Sequence, residues 1–400
     1  YLASETVTVE ARRPGFNPAA FLVSYQTKKG QVQLALARGP LWQTALGGAA
    51  GVTTPVALGK FILIGTNKAT IEVVDANLGA SKAITFPQSV DEFRQAPVIF
   101  QNTIYTILEN RLTAVDATTR TAQWAYPASQ GESSLRLTGS LLVQEHQLIP
   151  GQSLYFLGST GGEVLCFARD QNGRIIPYPK LQVGNDLTGQ LYGDQYEPGK
   201  TLLYVPAGNH LKVFDTTAVT EQDSAKLLYV MRTRGELQGQ MVRASVAGRP
   251  AMLAIDNSGL LVAVDANPEV AENKRAIGGW PLEGTGVSAP AYRPGMNVAY
   301  VAIAEGRVVA VDLARPGQLV WRFPAQGNAG TLATPPVIGQ RGVYIADQQG
   351  TLRCLDAATG VERWHADLGS PASSGLLVHE GRIFVPTRAG MLVCFEEGEE

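Results

Sequence analysis

Charge is scarce in this sequence and nearly balanced: Asp, Glu, Lys and Arg make up 17% of the 400 residues, at a formal net charge of −2. That excludes recruitment of nucleic acid by charge alone. Long apolar runs are missing too. Although 45% of the chain is hydrophobic, no stretch reaches the ~18 uninterrupted apolar residues of a transmembrane helix. No basic segment followed by an apolar run marks a signal peptide after Tyr1. Cysteine is limited to Cys166, Cys354 and Cys394, and His146, His210, His365 and His379 are scattered, so neither type has metal-ligand spacing. The turns "DQNG" at Asp170 and "DNSG" at Asp256 begin like calcium loops but lack the remaining ligands, including the distal Glu. Walker-type loops and nucleophile elbows are absent.

What is abundant is turn chemistry. The chain has 43 Gly and 23 Pro, set between short runs rich in Val, Ile, Leu and Tyr, which predicts strands punctuated by turns. Helical spacing occurs only over residues 218–228, which allows one short surface helix.

Self-similarity decides the fold. The clearest copy, "TPPVIGQRGVYIADQQGTLRCLDAATGVERW" at 334–364, holds four strand-like runs separated by turns. A second, "APVIFQNTIYTILENRLTAVDATTRTAQW", covers 96–124, and a third runs from 289 to 321. Weaker copies end at Ala76, Ala168, Asp215, Ala266 and Glu396, which makes eight in all. Their spacing, roughly forty to fifty residues, is that of a four-stranded propeller blade. The last copy supplies three strands, and "PLWQTAL" at 40–46 is a lone fourth-strand sequence. The expectation is an all-β, eight-bladed β-propeller of four-stranded blades, closed by this N-terminal strand completing the last blade. Residues 40–400 form the propeller in this reading, and 1–39 form an N-terminal extension. Within the extension, 21–37 reads as a β-hairpin turning at Lys28, Lys29 and Gly30, either an outer extension or a partial ninth repeat.

The recurring residues have structural uses. Asp75, Asp116, Asp215, Asp265, Asp312 and Asp356 end the third strands, where a carboxylate accepts N–H groups of the following turn. Trp42, Trp124, Trp321 and Trp364 occupy fourth strands, and Trp280 stands in the same part of its blade at another offset; each offers a flat side chain to the next blade. The three cysteines lie two residues before the Asp slot, where other copies carry Val73, Ala114, Val213, Ala263 and Ala310, so they read as buried, unpaired thiols.

With segments such as "LDAATGVERW" and "VDATTRTAQW", the repeat resembles the pyrroloquinoline-quinone-like repeat family, from residue 40 onward. Within it, an eight-bladed chain closed by an N-terminal "W-x-T" strand most resembles the BamB family of outer-membrane assembly lipoproteins. That resemblance implies a non-catalytic protein-binding scaffold of the bacterial cell envelope, extracytoplasmic or periplasmic, whose partner is a barrel-assembly component. It implies no cofactor and no metal. Two other readings remain open: an extracytoplasmic sensor or ligand-binding propeller, and a quinone-dependent dehydrogenase. The dehydrogenase branch is typically longer, and many members carry adjacent cysteines, which this chain lacks. "SLRL" at 134–137 is similar to a partner-binding Leu-Arg segment of the BamB family, and the stretch 169–200 reads as an irregular insertion with interface-type aromatics. Leu135, Arg136, Tyr178, Tyr192 and Tyr196 are therefore the candidate partner-binding residues.

Overall fold

The computed structural model describes residues 38–47, 51–86, 93, 95–127, 136–286, 289–324, 327, 329–332 and 334–398, and the backbone of 6–11 and 19–24. The ring is all-β, with eight four-stranded antiparallel sheets. In the first blade the strands are Val56–Leu58, Phe61–Gly65, Thr70–Asp75 and Ser81–Thr85, running from the innermost strand to the outermost. The two middle strands are almost wholly buried, whereas the outer strand is mostly exposed. A middle strand is covered on both faces by neighbouring blades, which is why these segments read as continuous apolar runs.

The core consequently lies between blades. Leu253, Ile255, Ala263 and Trp280 of the fifth blade pack with Val301, Val309 and Val311 of the sixth. In the last blade, Leu377–His379, Arg382–Pro386 and Met391–Glu396 are joined by Trp42–Ala45, which pairs with Met391–Glu396 in the register Trp42 to Cys394. Arg38 N–H also donates to His365 O at 2.8 Å, tying this segment to the seventh blade.

In six of the eight blades cross-strand register explains the small slot near the end of the third strand. Ala114, Ala310, Cys354 and Cys394 stand directly opposite Trp124, Trp321, Trp364 and Trp42. In the third and fourth blades Cys166 faces Tyr178, and Val213 faces Tyr229. A large ring on one strand leaves its neighbour room only for a small side chain.

Two expectations meet a different structure. The helical spacing at 218–228 does not make a helix; Lys226–Arg232 is the outer strand of the fourth blade, and among the described residues the only helix is the 3-10 turn Glu272–Lys274. Val219 and Ala225, in the loop before that strand, are instead buried in the third blade's cluster. The stretch 169–200 is not an irregular insertion: Ile175–Gln182 is the third blade's outer strand and Tyr192–Glu197 the fourth blade's inner one. At the N-terminus, Ala19–Ser24 pairs with Thr6–Ala11, while the turn expected at Lys28, Lys29 and Gly30 lies outside the described residues.

Candidate functional site

The repeated carboxylates bind their own turns. Asp75 Oδ1 accepts the N–H of Asn77 and Leu78 at 2.9 and 3.2 Å, and Asp356 Oδ1 accepts those of Ala358 and Thr359 at 3.0 and 2.8 Å. Asp116, Asp215, Asp265 and Asp312 do the same. The calcium-like turns are closed in the same way, since Asp170 Oδ1 takes Asn172 N–H and Asp256 Oδ1 takes Ser258 N–H, both at 3.0 Å. Among the described residues no three His, Cys, Asp or Glu converge on one point.

The thiols are buried and unpaired. Burial raises all three, with Cys354 and Cys394 pushed up to about 12. A thiol so shielded is protonated at neutral pH and a poor nucleophile.

Of the candidate partner-binding residues, Arg136 is exposed at the entry to the third blade, its carbonyl held by Thr160 N–H at 2.8 Å. Leu135 lies outside the described residues. Tyr178 is buried in the slot that Trp fills elsewhere, with its hydroxyl 3.0 Å from His146 Nε2. His146 Nδ1 accepts Leu148 N–H at 3.2 Å, which leaves the hydrogen of the neutral ring on Nε2. Burial holds the His146 imidazole below its ordinary range. Tyr192 packs edge-on to Tyr204 at 6.3 Å, and the half-buried Tyr196 ring has Lys200 Nζ 5.7 Å from its centroid.

These residues do not form one surface. Arg136 precedes the first residue of an inner strand, Leu137–Glu145, whereas Tyr196 sits at the last turn of the next inner strand, Tyr192–Glu197. Inner strands run in the same direction around a propeller, so the two residues point to opposite faces of the ring. Arg136 has no side-chain partner among the described residues.

A cleft that the sequence reading missed opens along Leu137–Glu145, the inner strand that Arg136 precedes. Its volume is about 250 Å³, and Gln95, Thr138, Ser140, Thr188 and Gln190 line it together with main chain at Gly189 and Gly239. Its described lining carries no charged side chain. Pyrroloquinoline quinone, which the repeat family brings to mind, is multiply anionic, and neutral amides and hydroxyls do not fit it.

Comparison with known proteins places this geometry. A family model described as "Outer membrane protein assembly factor BamB" matches residues 28–177 and 304–399. An outer membrane protein assembly factor BamB from Nitrosomonas eutropha is 31% identical over 97 residues, 24% of either chain. The serine/threonine-protein kinase AfsK of Streptomyces griseus is 36% identical over 91 residues, 22% of this chain and 11% of the kinase. The chain thus spans about a quarter or less of the curated relatives it matches. Among solved structures, BamB from Moraxella catarrhalis superposes with a TM-score of 0.66 at 13% identity, over 90% of this chain and 99% of that one. A quinohemoprotein alcohol dehydrogenase from Pseudomonas putida HK5 reaches 0.62 at 13% identity, over 90% and 76%. At such identities the superpositions show the shared fold.

Proposed function

We propose that this chain, which belongs to the family of the outer membrane protein assembly factor BamB, acts as a non-catalytic protein-binding scaffold on the periplasmic side of the outer membrane, with a barrel-assembly component as partner. Residues 40–400 would act as the propeller unit and 1–39 as an extension of it. The observation that carries the reading is Arg136: an exposed guanidinium on a backbone pinned by Thr160, with no internal partner among the described residues. Such an arginine is available to a carboxylate or carbonyl on a second protein, and arginine is enriched where interfaces concentrate their energy. The repeated carboxylates are engaged in turns and the thiols are buried, which supports a scaffold over a catalyst. The experiment is affinity capture from the native envelope: barrel-assembly components retained by the wild type and lost with Arg136→Ala support the reading, and their absence from the wild-type capture refutes it. A sensor role draws its support from the short match to the kinase AfsK, and kinase-linked proteins in the capture would favour it.

A further inference from the structure

The innermost chain of the blades carries the same irregularity around the ring. In the third blade Leu137 pairs with Ser159 and Leu141 with Leu157, so four steps on the inner strand match two on its neighbour. In the fifth blade Gln238 to Val242 matches Ile255 to Leu253 in the same way. The first residue of this bulge is Thr53 in the first blade, Thr334 in the seventh and Ser374 in the eighth, and each spends its hydroxyl inside the protein. Thr53 Oγ1 accepts Gly65 N–H at 2.9 Å, Thr334 Oγ1 accepts Ala346 N–H at 3.3 Å, and Ser374 Oγ donates to Thr53 O at 2.7 Å.

The second to fifth blades break this rule side by side. Their equivalent residues in this register are Gln95, Gly139, Gly189 and Gly239; three of them line the 250 Å³ cleft, and Gly139 lies against the Gln95 side chain. In the fourth blade both halves of the closing bond are gone, because Gly189 has no hydroxyl and Pro206, opposite, has no N–H. The space is held open by fixed main chain: Gln190 N–H donates to Gly239 O at 3.0 Å and Leu191 N–H to Ser140 Oγ at 2.7 Å. A side chain at Gly189 would meet Gly239 O at 2.8 Å, so the close approach of these two segments requires glycine.

We propose that this cleft is a binding site for a short extended stretch of polypeptide main chain with small side chains. A ligand here meets carboxamides and hydroxyls that both donate and accept, with Leu187 the one apolar side chain and no charge among the described lining. Among the described lining, anions and cations find no counter-charge, whereas a peptide group offers one donor and one acceptor per residue. Within the wall, the main chain at Gly189 and Gly239 already forms one isolated parallel bridge. Among the described lining there is no aromatic face for a sugar ring to stack on.

The test is titration of the whole chain with N-acetyl-alanyl-serine methylamide, followed by amide chemical shifts, with N-acetylglucosamine as the neutral alternative. Saturable binding on the order of millimolar is expected for so small a ligand. The shifts should fall on Gly189, Gln190 and Gly239. Gln95→Leu should weaken binding about fivefold, as loss of one neutral hydrogen bond does, with the melting temperature unchanged. Thr138→Val provides a second, near-isosteric variant that should act in the same direction. No saturable binding, binding unaffected by both variants, or binding of the sugar without the peptide each overturns the proposal. Arg136→Ala should leave the peptide titration unchanged, so this site and the partner-binding reading can fail independently.

Discussion

Trp321 in the outer strand of the sixth blade donates its indole N–H to Ala357 O, at 3.0 Å, in the Asp356 turn of the seventh. The ring lies on Gly360, where a Cβ would come within 2.5 Å of Trp321 Cε3 and where φ is +73°. Trp42 repeats the arrangement over Gly79, at φ +69°, but its indole nitrogen is buried without a hydrogen-bond partner among the described residues. The seam at Trp321 thus has packing and a hydrogen bond, and the seam at Trp42 packing alone.

The two seams should respond differently to substitution. Trp321→Phe loses both area and a bond, although Ala357 O keeps the bond from the Tyr300 hydroxyl at 2.9 Å, and should cost roughly 2 kcal/mol. Trp42→Phe loses area only and should cost about 1 kcal/mol less. Gly360→Ala should be destabilising by about 1 kcal/mol or more, from both the contact and the left-handed backbone. Denaturant midpoints of the three variants check the order, and equal costs for the two tryptophans would contradict it.

The cysteines make a second case. With Cys354 and Cys394 pushed up to about 12 by burial, a thiol reagent at pH 8 should label the native protein negligibly and label all three positions after denaturation. The linkage has a definite sign. Above pH ~9 the unfolded thiols ionise while the folded ones stay protonated, so the unfolded state binds fewer protons and stability falls as pH rises toward 12. Replacing all three with Ala should flatten that loss, at a cost of about 1–3 kcal/mol at neutral pH. Rapid native labelling would show that the thiols are reachable.

Acid should act through the turns. The Arg363 guanidinium, with the hydroxyl and N–H of Thr359, lowers Asp356 to about 2, and the Asn77 N–H lowers Asp75. A carboxylate depressed in the folded state stabilises above its unfolded value and loses that contribution as pH falls through its folded one. Stability should therefore drop between pH ~4 and ~2, and Asp356→Asn should reduce the steepness of that drop. An acid titration of the melting temperature decides; an unaltered slope would mean other groups carry the dependence.

The repeat was legible because its markers have fixed physical jobs: Asp caps a turn, a small residue faces a ring, and Trp crosses a seam. It faded where those markers changed. In the third and fourth blades Tyr178 and Tyr229 replace Trp opposite Cys166 and Val213. Without a Trp, Ile175–Gln182 looked like part of an insertion, and its tyrosine like an interface anchor. The cleft left still less trace. Gly189 and Gly239 look like any turn glycines until they are set against Thr53, Thr334 and Ser374, an alignment that the bulge register supplies and the sequence pattern does not.

The same geometry separates two of the candidate partner-binding residues. If the partner sits on the face that bears Arg136, Arg136→Ala should weaken capture by about 1–3 kcal/mol while the melting curve stays in place, because an exposed arginine without an internal partner contributes little to folding. Tyr196 is half-buried against the fourth blade's cluster and emerges at the opposite face. Its replacement by Ala should leave capture by that face intact and instead cost about 1–2 kcal/mol of stability through lost packing. Capture and melting measured on both variants separate the outcomes. Loss of capture with Tyr196→Ala at unchanged stability, and none with Arg136→Ala, would move the interface to the other side of the ring.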